Sequence, residues 1–261
     1  MFDRRKFLPP VLPEIICPRA ELIRRCDSSN GRRFILVSSP AGYGKSLSTQ
    51  IWLSGNRRKT AWLSLDKYDN DRVTFYNFLG WALAGLQPNN AVIETILNEN
   101  LIHSNPVEAV MRMFSAFIPD KKECALVLDD FQTITNENIL SSLPHALKRL
   151  PASVTTVILT KDNFDQPFFN QHQFEDAVRL SKDDLTFSVA ETADYLALAG
   201  VEAAEDEVLR LHELTGGWIM GLSAYLKVIR KTPADPVCEI LRIHPGPHAE
   251  LTQCPKQEFH F

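Results

Sequence analysis

Between positions 31 and about 165 the chain alternates short unbroken apolar runs with stretches in which apolar residues recur every three or four positions. Unbroken runs of this length suit strands buried on both faces, and the three-to-four spacing suits helices with one buried stripe. Phe34–Ser39 (FILVSS), Thr60–Leu65 (TAWLSL), Ala125–Leu128, the β-branched Val154–Thr160 (VTTVILT) and Ala177–Leu180 are expected as five strands. Helices are expected over Lys45–Ser54, over Thr74–Leu86, where Phe75, Phe78, Leu79, Leu83 and Leu86 share a face, and over Glu137–Leu150. Strands separated by helices rather than hairpin turns imply crossover connections and a parallel sheet. The fold class expected is therefore α/β, a five-stranded parallel sheet flanked by helices.

Past Leu185 the strand signal ends. Ser188 followed by Glu191 forms a capping box that opens a helix over Val189–Ala199, with Gly200 as its C′ residue. A second helix is expected over Glu202–Leu214, ending at Gly216-Gly217. A third starts near Trp218, with Trp218, Leu222, Tyr225, Leu226 and Ile229 on one face. The organisation that follows is an N-terminal arm (1–30), an α/β domain (31–183), a small all-helical lid domain (184–231) and a proline-broken, divergent tail (232–261).

Composition narrows the function classes. Of 261 residues, 44% are hydrophobic and 23% charged, with 11 Gly and 16 Pro. These are the proportions of a globular chain rather than a disordered or collagen-like one. The formal charge of −4 leaves no broad cationic face for nucleic acid. No apolar run approaches the roughly 20 residues of a membrane helix. Pro9-Pro10 follow the basic N-terminus where a secretory signal would continue apolar. Five cysteines without a C-x-x-C pair point to a reduced, cytoplasmic compartment.

Ser39-Pro40-Ala41-Gly42-Tyr43-Gly44-Lys45-Ser46 fits the phosphate-loop pattern G-x-x-x-x-G-K-[ST] except at its first position, where serine replaces glycine. A strand precedes it and a helix follows, the setting in which backbone N–H groups can surround phosphate oxygens. The candidate nucleotide contacts are Pro40, Ala41, Gly42, Tyr43, Gly44, Lys45, Ser46 and Leu47. Gly42 and Gly44 allow the close approach, and Lys45 reaches the β- and γ-phosphates. The Ser46 hydroxyl ligates Mg²⁺. The alternative, a glycine-rich turn that merely joins strand to helix, fits the triplet GKS less well.

A magnesium-ordering acid is needed as well, and the run Leu126-Val127-Leu128-Asp129-Asp130 offers one at a strand end. Asp129 would hold Mg²⁺, and Asp130 would orient or deprotonate the attacking water. Two solvated acids at a strand end fit the run equally when it is taken alone, and the phosphate loop tips the balance toward the functional reading. Thr160-Lys161 ends the fourth strand, where the C-terminal sheet edge faces a ligand, although an ordinary surface lysine fits the position equally. Asp66, Asp69 and Asp71 read as caps of the next helix, with Asp71 as its N-cap. Cys124 reads as a small core residue, and Trp52, Trp62, Trp81 and Trp218 as packing. His244, His248, Cys254 and His260 are kept off one helix face by Pro245 and Pro247 and read as tail rather than as a zinc site.

The runs SSPAGYGKS, AWLSLDKYDND, LVLDDFQTITN, VILTKD and LTGGWIMGL, in this order between about Lys6 and Arg230, resemble the ATPase module of MalT-type transcriptional activators. These are LuxR-family regulators within the STAND group of signal-transduction P-loop NTPases. The resemblance implies a switch that holds ADP at rest, exchanges it for ATP with Mg²⁺, self-associates in the ATP state and hydrolyses slowly. Carried over, Gly42, Gly44, Lys45 and Ser46 match the phosphate loop, and Asp129 and Asp130 the Walker B acids. Pro18-Arg19 resembles the adenine-side segment, and Gly216-Gly217-Trp218 the lid motif. Lys161 stands where the family has an arginine sensor of the γ-phosphate, keeping the charge and losing the planar fork. In the family, DNA is bound through a helix-turn-helix domain that is not expected in this chain. The alternative reading is a stand-alone or degenerate P-loop NTPase that binds nucleotide or a partner without a transcriptional role.

Overall fold

The computed structural model describes residues 4–27, 32–86, 94–96, 101–117 and 123–229. The expected tail and its histidines lie outside them. Within the described residues no helix is long and apolar enough to cross a membrane. The chain divides into two compact units, one of Met1–Leu12, Ala20–Ala41 and Lys45–Asp184, the other of Pro13–Arg19, Gly42–Gly44 and Leu185–Phe261.

The first unit is built on five parallel strands in the order β2-β3-β4-β1-β5. They are β1 (Phe34–Ser38), β2 (Lys59–Ser64), β3 (Cys124–Asp129), β4 (Val154–Thr160) and β5 (Val178–Leu180). Every residue of β1, β3 and β4 is buried, which is why their sequences read as unbroken apolar runs rather than alternating ones. The register aligns Ser64 with Asp129 and Ser38 with Thr160, so β1, β2, β3 and β4 all end at one edge of the sheet.

Helices α1 (Ala20–Asp27), α2 (Lys45–Gly55), α3 (Arg72–Ala84), α4 (Pro106–Ala116) and α5 (Glu137–Leu147) belong to this unit. Phe75, Tyr76, Leu79 and Leu83 of α3 are wholly buried in the main core with Phe114 of α4 and Leu143 of α5. Burial of each large side chain contributes about 1.5–3 kcal/mol. Helix α3 starts two residues before the expected Thr74, because the Asp71 carboxylate accepts from the Thr74 amide at 2.8 Å and caps the turn ahead of the first apolar residue. Asp66 and Asp69 do cap after the second strand, but as the capping box of a short 3-10 helix, Lys67–Asn70, that precedes α3; Asp69 is the inner member. It is buried at 1% exposure, accepts from the Asp66 amide and pairs with Lys6.

The second unit packs α6 (Val189–Leu198), α7 (Glu205–Thr215) and α8 (Ile219–Ile229) around Phe187, Tyr195, Leu196, Leu211, Leu222 and Leu226. The capping box is present, with the Ser188 hydroxyl accepting from the Glu191 amide and the Glu191 carboxylate from the Ser188 amide. Helix α7 begins at Glu205 rather than Glu202, where the Glu207 carboxylate accepts from the Ala204 amide. Gly217 takes φ +69, and a Cβ there would lie 2.3 Å from the Phe187 carbonyl oxygen, so only glycine fits.

Candidate functional site

The loop after β1 turns on two left-handed glycines, Gly42 (φ +82) and Gly44 (φ +81), flanking Tyr43. Left-handed residues in such a turn bring successive amides round to one centre. Helix α2 starts at once at Lys45, and the first amides of a helix have no intrahelical acceptor. Pro40 and Ala41 at the head of the loop are exposed, Tyr43 is buried, and Leu47 in the first turn of α2 is half-buried.

Lys45 is 7% exposed, and its Nζ donates to the carbonyls of Ser39 at 2.6 Å and Pro40 at 3.0 Å. Burial holds the amine below its ordinary pKa, and the neighbouring Lys161 ammonium adds to that. Asp130 and Asp129 act in the opposite sense. A buried ammonium satisfied by neutral carbonyls retains its demand for an anion, so this donor set fits a phosphate. Ser39, the departure from the glycine pattern, is buried and supplies one of those carbonyls.

Asp129, the last residue of β3, accepts a hydrogen bond from the Ser46 hydroxyl at 3.0 Å. Burial pushes its carboxyl above the ordinary range, and the Asp130 charge adds to this. The Ser46 hydroxyl, the Asp130 amide and Lys45 pull it down. A hydroxyl and a carboxylate oxygen side by side are the hard donors that suit Mg²⁺.

Asp130 takes left-handed angles, φ 55 and ψ 40. Its Oδ1 accepts from Gln132 Nε2 at 2.8 Å and lies 3.6 Å from Lys161 Nζ. Its carbonyl accepts from the Thr133 amide and hydroxyl. Lys161 is half-exposed, and its amide donates to Gln132 Oε1. Thr160 is the last residue of β4, as expected. It is fully buried, and its Oγ1 accepts from the Asp162 amide, so it shapes the turn that carries Lys161. Lys45, Ser46, Asp129, Asp130 and Lys161 are thus brought together within the first unit. Gln132 had no signal in the sequence.

Arg19 lies in the second unit. Its guanidinium donates to both carboxylate oxygens of Glu191 and to the carbonyls of Leu185 and Thr186, and stacks over Phe187. The Arg19 side chain is committed to this network within the second unit. Trp218 is a packing residue, as expected, with its ring 6.4 Å from that of Tyr43. Helix α8 begins one residue later, and the indole lies where a Cβ on Gly42 would reach, 2.7 Å from Nε1.

No protein-family model matches the chain. The HTH-type transcriptional regulator MalT of Klebsiella pneumoniae is 24% identical over 218 residues, covering 83% of this chain and 24% of that protein. MalT of Vibrio campbellii is 27% identical over 187 residues, covering 71% and 21%. The chain spans about a quarter of the length of these curated relatives. Among solved structures, a Walker-type ATPase of Pyrococcus abyssi matches with a TM-score of 0.58 at 14% identity, covering 90% of this chain and 74% of that one. A signal-transduction ATPase with numerous domains and a tetratricopeptide-repeat sensor, from Pyrococcus horikoshii, matches with a TM-score of 0.54 at 16% identity, covering 90% and 34%. The fold is that of Walker-type ATPases, and the resemblance to the ATPase module of MalT-type regulators is borne out.

Proposed function

We propose that this chain is the ATP/ADP-binding switch module of a MalT-like transcriptional regulator, in which nucleotide exchange and slow hydrolysis control self-association. The observation that carries the reading is Lys45, a buried ammonium held by the carbonyls of Ser39 and Pro40 beside the Ser46–Asp129 pair. In this reading the amides from Gly42 to Leu47 and the Lys45 ammonium bind the phosphates. Ser46 and Asp129 hold Mg²⁺, which when bound neutralises phosphate charge. Asp130 takes a proton from the attacking water at its carboxylate, and Lys161 meets the γ-phosphate. In this reading the module works in the cytoplasm.

A second reading, nucleotide binding without turnover, draws on Lys161, whose ammonium 3.6 Å from Asp130 would hold the carboxylate as an ion pair rather than as a base. Light scattering in Mg·ADP and in Mg·ATP tests the switch. A larger assembly in ATP is expected, and an identical mass in both nucleotides would remove the switching role.

A further inference from the structure

The geometry points to Gln132 as the residue that positions the Asp130 carboxylate, with Asn70 locking the turn on which both sit. The inference rests on the hydrolytic role given to Asp130 above, and deepens it. A half-exposed carboxylate on a surface turn is free to swing unless something fixes it. Gln132 Nε2 donates to Asp130 Oδ1 at 2.8 Å, and Gln132 Oε1 accepts from the Lys161 amide at 3.0 Å. That second bond fixes the orientation of the glutamine amide, because only its oxygen can face an N–H. Its nitrogen is therefore directed at Asp130, and one side chain ties the end of β3 to the end of β4.

Lys161 Nζ also approaches Oδ1. The Asp130 side-chain contacts found among the described residues thus converge on one oxygen, which leaves Oδ2 as the proton acceptor. A neutral amide suits the task. It fixes the carboxylate without adding a full charge beside a group already facing Lys161, Lys45 and Asp129.

The left-handed Asp130 is an uncommon conformation for a residue with a side chain, and such residues persist where their surroundings over-determine them. Asn70 supplies that constraint from the loop after β2. Its Nδ2 donates to the Thr133 carbonyl at 2.6 Å, and its Oδ1 accepts from the amides of Thr135 and Asn136 at 2.7 and 3.1 Å. The Asn136 side chain returns a bond to the Asn70 carbonyl at 2.8 Å. Thr133 in turn closes on the Asp130 carbonyl. An aspartate at position 70 would keep the acceptor and lose the donor to Thr133.

The test is steady-state ATP hydrolysis by the whole chain carrying Gln132→Met or Asn70→Asp, with Mg·ADP affinity measured alongside. Each variant should lower kcat about 10- to 100-fold, the scale on which misplacement of a catalytic group acts. KM and ADP affinity should stay within about twofold, since neither side chain is assigned to the nucleotide. In an Asp130→Asn background the further effect of Gln132→Met should vanish, a coupling that a purely structural role would not produce. Parent-like kcat in both variants, or an equal loss from Gln132→Met with and without Asp130, would overturn the inference while leaving the hydrolytic reading intact. A parent that binds ATP without turnover would overturn that reading, and this inference with it. If Asn70→Asp fails to fold, as melting would reveal, Gln132→Met decides alone.

Discussion

Replacing Asp130 by asparagine separates the chemistry of this acid from its geometry. Asparagine has the same shape, tolerates the left-handed angles found here, and can still accept from Gln132 Nε2 through its own Oδ1. What is lost is a negative charge and a basic oxygen. A positioned general base contributes about 10²- to 10⁴-fold, which corresponds to about 3–5 kcal/mol of barrier. Stability should barely move. The Lys161–Asp130 pair is 3.6 Å long with both side chains about half exposed, so after solvent screening it is worth at most about 0.5 kcal/mol. Its loss is opposed by relief of Asp129, whose carboxyl the Asp130 charge helps to push up. A net change within about 0.5 kcal/mol corresponds to a Tm shift of about 2 °C or less. Phosphate release from Mg·ATP should fall at least about 100-fold, at the low end of that range, with Mg·ADP affinity unchanged or tighter because a negative charge near the phosphates is gone. A variant that hydrolyses ATP at the parent rate would refute the assignment. A Tm fall of about 8 °C with unchanged turnover would show that Asp130 serves the architecture instead.

Asp71 gives two further predictions. Its carboxylate accepts from the amide and the hydroxyl of Thr74 at 2.8 and 2.9 Å, so Asp71→Ala should cost about 1 kcal/mol of stability in denaturant unfolding. An unchanged midpoint would count against the cap. The same backbone and side-chain bonds hold the Asp71 carboxyl below its ordinary value. With the folded pKa below the unfolded one, its stabilisation is present above the unfolded value of about 3.9 and is lost as pH falls through the folded value. Asp71→Asn should therefore keep the cap and flatten the acid limb of stability, and a limb as steep as the parent's would contradict this.

The strands were legible because three of the five are buried on both faces, so their apolar character is continuous and needs no partner to be recognised. The phosphate loop was legible because its chemistry depends on residues adjacent in the chain. Helix starts were less so, since at α3 a cap placed ahead of the first apolar residue sets the boundary and the apolar spacing does not report it. What escaped were contacts between residues distant in sequence that no motif links, whereas Ser46 and Asp129, 83 positions apart, were paired by the chemistry of the phosphate loop. Lys6 meets Asp69 across 63 positions, and Arg19 meets Glu191 across 172. Asn70 clasps the turn after β3 only because β2 and β3 pair in register to their ends. Gln132 acquires a role because β4 lies beside β3, placing the Lys161 amide within its reach.

Whether Lys45 and the loop before it hold nucleotide phosphates is decided by calorimetric titration of Mg·ADP into the parent chain and into Lys45→Ala. Loss of a buried, charge-assisted contact of about 3 kcal/mol should weaken binding at least about 100-fold, while circular dichroism shows the variant folded. Equal affinity in the two proteins, or no binding heat in the parent, would mean that Lys45 and its loop do not hold phosphates.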